Sequence, residues 1–259
     1  MPQGIISRDR QMEFGAQVGV MNYLGDIQGN QGKGTNNLKD LNLPNSKPVF
    51  GFFYTYYPDF EKSRIAWKIN INSGTIHGAD SLIEDKGGDE LERKRRNLSF
   101  KTRINELFLS AEFYFLRKKF RPYLTTGIGI SQFNPKTYDD GWVKLQPLQT
   151  EGIRYSTTTL SFPIGGGFKY YTNNNKVLTV EVLYRKAFTD YLDDVSTNYT
   201  GNTLSFREKE PRDYIGKQRG DPKDNDAYFS AVIKYSFLLF QNVKFLRRQS
   251  VKCPNYSDL

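Results

Sequence analysis

A strict two-residue alternation of apolar and polar side chains constrains this chain more than any other feature, because only an extended strand with one dry face and one polar face can use it. Met12, Phe14, Ala16, Val18 and Val20 share one side, and Glu13, Gly15, Gln17 and Gly19 share the other. Ile65, Trp67, Ile69 and Ile71 oppose Arg64, Lys68, Asn70 and Asn72. Over 103–115, Leu107, Leu109, Ala111, Phe113 and Phe115 alternate with Glu106, Phe108, Ser110, Glu112 and Tyr114. Near 177–186, Leu178, Val180, Val182 and Tyr184 oppose Thr179, Glu181 and Arg185. Segments 48–57, 121–133, 158–171 and 226–237 also read as strands, which brings the count to eight.

Several of these segments run about 10 to 14 residues, longer than the roughly 5 or 6 of soluble sheets and enough for a tilted membrane crossing. Their connections alternate in length. Short turns are expected at Pro58–Lys62, Leu116–Phe120 and Thr172–Asn175, and long polar stretches at 26–47, 76–98, 134–157 and 188–225. Short turns on one side and long loops on the other are the habit of outer-membrane barrels. The pattern disfavours the competing soluble sandwich. The reading is therefore an all-β, eight-stranded antiparallel transmembrane β-barrel with short periplasmic turns and long extracellular loops. It divides into an N-terminal periplasmic segment (1–11), the barrel (12–237) and a C-terminal periplasmic tail (238–259).

Composition agrees. Mean hydropathy is −0.63, and no window approaches the roughly 20 apolar residues of a spanning helix. A barrel keeps a low average because lumen-facing polar residues dilute lipid-facing apolar ones. Aromatics make up 15% of the chain, with 19 Phe and 17 Tyr, as interfacial girdles require. The first ten residues have no apolar stretch of the kind a secretory leader needs, so the barrel reading implies a mature form.

Inside a small barrel the polar set must fill the space and satisfy itself. Glu13, Arg64, Lys68, Glu106, Glu112, Glu181 and Arg185 supply both signs, so a plugged, ion-paired lumen is expected in place of a wide pore. Inward glycines at 15, 19, 51, 127, 129, 165 and 167 are expected to give long side chains room.

Chemistry-bearing groups are sparse. His77, with Asp80 three residues on, is the sole candidate base; no nucleophile is marked, and a rim histidine is the plainer reading. The acidic groups Asp139–Asp140, Asp193–Asp194 and Asp221 to Asp226 lack calcium-loop spacing and read as solvated loop residues. Composition predicts a mobile 188–225 segment. A single Cys253 excludes an internal disulfide, and neither a metal nor a cofactor is expected. The net charge of +9 is scattered over both ends and the lumen, which disfavours nucleic acid. Outer-membrane lipid and lipopolysaccharide are the expected partners; the run Arg93 to Arg96 in an expected external loop could meet lipopolysaccharide phosphates, although such a run is more often a solvated basic patch. Arg117, Lys118 and Lys119 in a periplasmic turn, with Phe245, Arg247 and Arg248 in the tail, are candidate contacts for a periplasmic partner.

Particular phrases carry a resemblance. Asn22-Tyr23-Leu24-Gly25-Asp26, Arg96-Asn97-Leu98-Ser99-Phe100, Pro122-Tyr123-Leu124, the stretch Leu145 to Gly152, the stretch Thr189 to Ser196, Arg219-Gly220-Asp221-Pro222 and Asn225-Asp226 resemble Bacteroidota outer-membrane barrels of the PorG type. The likeness runs from about residue 12 to the Cys253-Pro254 tail. It implies a non-enzymatic component of the type IX secretion system that anchors or positions the periplasmic ring of PorK and PorN. The alternative is a general barrel that binds an external ligand or stabilises the envelope.

Overall fold

The computed structural model describes residues 11–25, 27, 45–60, 62–82, 98–116, 118–138, 140–172, 174–201, 215–220 and 222–240. The strands are β1 (Gln11–Leu24), β2 (Lys47–Tyr57), β3 (Ile65–Ala79), β4 (Ser99–Tyr114), β5 (Phe120–Tyr138), β6 (Trp142–Lys144), β7 (Thr158–Tyr171), β8 (Lys176–Ala187) and β9 (Ala227–Phe240). Eight of them pair antiparallel in the order β4-β3-β2-β1-β9-β8-β7-β5, and β5 pairs back to β4, which closes the sheet on itself. β6 is a three-residue addition to β5. Closure removes every free edge among the long strands, the condition for crossing a bilayer with strands.

Burial is inside-out relative to a soluble protein. Phe52, Val18 and Ile71 are among the most exposed side chains, while Glu13, Glu112 and Ser161 are fully buried. The apolar exterior is a belt with aromatics concentrated near the short turns, including Trp67, Phe113, Phe115, Phe120, Phe168 and Phe237.

The strands outrun the expected segments at the long-loop end. β3 continues to Ala79, β4 starts at Ser99, and β5 runs to Tyr138 before β6 forms within the expected 134–157 loop. The alternation reverses phase there while pairing continues. On β4, Glu106 and Ser110 point inward on either side of outward Leu107 and Leu109, but further up Ile104 and Phe100 point inward and Arg103 and Lys101 outward. On β3 the switch falls between Ile71 and Ile76, and on β5 between Ile130 and Phe133. Above the belt the same strands behave as an ordinary half-buried sheet, polar outside and apolar inside. The inward apolar residues there form a core with Met21, Tyr23, Val49, Leu98, Leu192, Val195 and Tyr228.

The inward glycines divide by cause. A Cβ at Gly129 would fall 1.9 Å from Cδ1 of Phe108, so this position does yield room to a side chain. At Gly19 the obstacle is the Ala231 carbonyl oxygen, 2.0 Å away, on the adjoining strand. Close approach of neighbouring backbone, and not side-chain space, requires glycine there.

Candidate functional site

The lumen at belt level is filled by four carboxylates and four cations. Lys68 pairs with Glu112 (2.8 Å) and Glu181 (2.5 Å), Lys169 with Glu13 (2.9 Å) and Glu112 (2.8 Å), Arg185 with Glu106 (3.0 Å) and Lys234 with Glu181 (2.7 Å). Each carboxylate also accepts a phenolic proton. Tyr57 donates to Glu13 and Tyr114 to Glu112, Tyr123 to Glu181 at 2.6 Å and Tyr228 to Glu106 at 2.6 Å. A buried charge is tolerated only when it is paired and its remaining lone pairs are filled. Here every charge is paired, each carboxylate has a phenolic donor as well, and the cluster is neutral.

Six of the expected lumen charges lie here: Glu13, Lys68, Glu106, Glu112, Glu181 and Arg185. Arg64 does not. β3 begins one residue later, at Ile65, and Arg64 is exposed in the preceding turn, where its carbonyl accepts from the Tyr114 amide. The lumen below is already occupied: Phe60 packs edge-on against Tyr57 (5.2 Å) and Tyr171 (5.4 Å), and the Arg121 guanidinium lies 4.0 Å from the Phe60 ring. Lys169 and Lys234 were missed as network members. Strand parity carries their signal, since Lys169 lies two residues beyond inward Gly167 and Lys234 two before inward Ser236.

The long-loop end is closed by a different construction. Residues 188–201 turn back over the barrel mouth, with Leu192, Asp193, Asp194 and Val195 buried. The Tyr23 hydroxyl lies between Asp193 (2.8 Å) and Asp226 (2.5 Å), with one proton to share between them, and the Leu192 amide donates to Asp226 (2.8 Å). Asp194 accepts from Thr150 (2.6 Å) and Tyr155 (2.5 Å). Glu151 accepts from the amides of Ser196 (2.9 Å) and Thr197 (2.8 Å) and pairs with Arg219 at 3.0 Å. Arg219 also donates to the Asp194 carbonyl at 2.6 Å. The rings of Tyr155 and Tyr191 stack at 4.4 Å.

This packing corrects two expectations. Asp193 and Asp194 are not solvated, because backbone and phenolic donors converge on them in place of water. Nor is the described part of 188–225 a loose loop: Leu192 and Val195 are buried in an apolar core, each burial worth roughly 1.5–3 kcal/mol. Asp140 is exposed as expected, while Asp139 and Asp221 lie outside the described residues. Burial, the largest influence, raises the Asp194 carboxyl above its ordinary value, against the pull of its Thr150 and Tyr155 hydrogen bonds. Tyr155 is raised likewise by burial and by Asp194, so it stays a neutral donor.

His77 and Asp80 are committed to different partners. The His77 ring meets Asn45 at 2.7 Å, while Asp80 is buried and accepts from the Leu98 amide at 3.1 Å. Among the described residues, no group of three or more His, Cys, Asp or Glu is placed to hold a metal ion. Lys118 and Lys119 are exposed at the short-turn end, where the Lys118 carbonyl accepts from Arg121 (3.1 Å) and the Lys119 carbonyl from the Tyr171 amide (2.8 Å). Arg117, Phe245, Arg247, Arg248, the Arg93–Arg96 run and Cys253 lie outside the described residues.

A closed antiparallel barrel with an apolar, aromatic-edged exterior and a neutralised ionic interior is an outer-membrane β-barrel of a Gram-negative bacterium. The chain belongs to the family described as Domain of unknown function (DUF6089), whose model matches residues 5–215. No curated protein matches it. Among solved structures it is similar to the outer membrane protein OprG from Pseudomonas aeruginosa, with 13% identity over 90% of this chain and 97% of that one and a TM-score of 0.44. A major outer membrane protein from Thermus thermophilus shares 9% identity, covering 89% of this chain and 99% of that one, at a TM-score of 0.44. Neisserial surface protein A shares 9% over 88% of this chain and 96% of that one, at 0.42.

Proposed function

We propose that the protein is a non-enzymatic, non-conducting barrel whose short-turn end anchors or positions a periplasmic assembly. The PorG-like resemblance implies that this assembly is the PorK/PorN ring of the type IX secretion system. The observation that carries the reading is the neutral, ion-paired lumen sealed by Phe60 at one end and by residues 188–201 at the other. With the interior committed to holding itself together, recognition is left to the outer surfaces. Short turns face the periplasm in this class, which gives Lys118, Lys119 and the adjacent Arg117 to a partner there.

The test is affinity purification of the tagged protein from detergent-solubilised outer membranes of its native host. Recovery of PorK-like and PorN-like proteins is expected, with retention lost on charge reversal of Arg117, Lys118 and Lys119 in a barrel that still shows heat-modifiable migration. Recovery of the barrel alone overturns the ring assignment. The packed cap favours a second reading, a barrel that binds an external ligand through its long loops. Cap variants that lose such a ligand while protein secretion continues would select it.

A further inference from the structure

Just above the belt, the outward face of β3 to β6 carries one continuous cross-strand row. His77 pairs with Lys101, Lys101 with Lys136, and Lys136 with Lys144. Three ammonium groups thus stand side by side, although like charges directly opposite one another destabilise a sheet. Among the described residues none of the three has a carboxylate partner. Arg103 lies one outward position nearer the belt, and its Nε and Nη2 both donate to Ser73 at 3.3 Å. The Lys101 ammonium sits 5.0 Å from the Trp142 ring centroid.

These residues line two adjoining depressions. One, of about 480 Å³, is walled by Phe50, Lys101, Arg103, Lys136 and Trp142. The other, of about 360 Å³, is walled by Arg103, Lys136 and Lys144. Among the described residues no carboxylate lines either one. Directly below, an apolar groove of about 530 Å³ runs down into the belt along Phe50, Phe52, Ile71, Leu107 and Ile130. Phe50 borders both levels.

We propose that this face binds a phosphorylated glycolipid of the outer leaflet, of the lipid A type. Its phosphates lie against Lys101, Arg103, Lys136 and Lys144, and an acyl chain follows the groove beneath. Cations above an apolar groove fit an amphiphile with its head toward the long loops. The three lysines of the row span three strands, about 10 Å at the usual strand spacing. A single phosphodiester covers only part of that width, whereas two separate phosphates on one head group cover it. Charge-assisted pairing then relieves the repulsion along the row. The proposal rests on the long loops facing outward and uses no residue of the short-turn end, so it stands or falls apart from the anchoring role.

The test uses the full chain in detergent with Trp67→Phe, which leaves Trp142 as the reporter, since the chain has two tryptophans. Titration with diphosphoryl lipid A is expected to change Trp142 emission saturably. Binding of phosphate-stripped lipid A and of phosphatidylglycerol is expected to be about tenfold weaker or less. Lys101→Glu with Lys136→Glu should weaken diphosphoryl lipid A by about tenfold, and the milder Lys101→Gln with Lys136→Gln should also weaken it. Lys176→Glu at the far end should change nothing. Heat-modifiable migration confirms that each variant is folded. Equal binding of phosphatidylglycerol, or full affinity in the folded Gln variant, overturns the proposal.

Discussion

The belt section and the water section of this barrel use the same strands under opposite rules. At belt level Leu107 and Leu109 face lipid while Glu106 and Glu112 face inward; a few residues up, Arg103 and Lys101 face out while Ile104 and Phe100 face in. The backbone pairing of β3 and β4 runs through the change without interruption. Strand geometry only assigns a residue to one face or the other. What each face demands is set by its solvent, lipid at one height and water at another. The interior follows: surrounded by lipid it holds a neutral ionic cluster, and surrounded by water it holds an apolar core that the long loops complete.

The largest effect that tests this contrast lies in the ionic interior. Lys68→Met leaves Glu112 and Glu181 each short of a counter-charge, with a cost of about 3–5 kcal/mol. Urea unfolding in detergent, followed by the loss of heat-modifiable migration, should show it. Paired with Glu181→Gln, the loss should fall below the sum of the two single losses, because the groups share one network. An additive result would break the picture of a coupled cluster.

An intermediate effect sharpens the boundary itself. Leu109→Arg places a charge on the lipid face and should cost about 2–4 kcal/mol. Asn134→Arg, on the outward face of β5 above the phase change, should stay within about 0.5 kcal/mol. Equal costs in bilayer refolding would put the boundary elsewhere.

The smallest effect concerns the cap. The Asp194 carboxyl is raised in the folded state above its ordinary 3.8, so the folded cap binds that proton more tightly than the unfolded chain does. Its stability therefore rises as pH falls from the folded value toward 3.8, and the gain is lost as pH climbs back through the folded value. Amide exchange over 191–197, corrected for intrinsic chemistry, should slow on mild acidification, and Asp194→Asn should flatten the response. Faster exchange in acid would mean that the carboxylate is a net stabiliser there.

Alternation alone placed the eight strands, the short turns and six of the eight charges of the belt-level cluster, because parity along a strand is a local property that no distant contact can alter. Parity was also enough to find Lys169 and Lys234, had it been followed through β7 and β9. It failed at Arg64, where one residue of strand length decides between lumen and solvent. It failed above the belt as well, where His77 and Lys136 read as loop because the apolar face had moved to the other side. Most of the cap was out of reach. The Thr189 to Ser196 phrase is conspicuous in the sequence, but nothing local tells that Tyr23, Thr150 and Tyr155 will converge on its carboxylates from positions dozens to more than a hundred residues away. The sequence by itself determined a membrane barrel with a charged interior, since strand direction and solvent preference are written residue by residue. Which charge meets which partner, where lipid gives way to water, and whether an acidic loop is solvated or buried were decided by closure of the sheet, which brings distant strands and loops to one place.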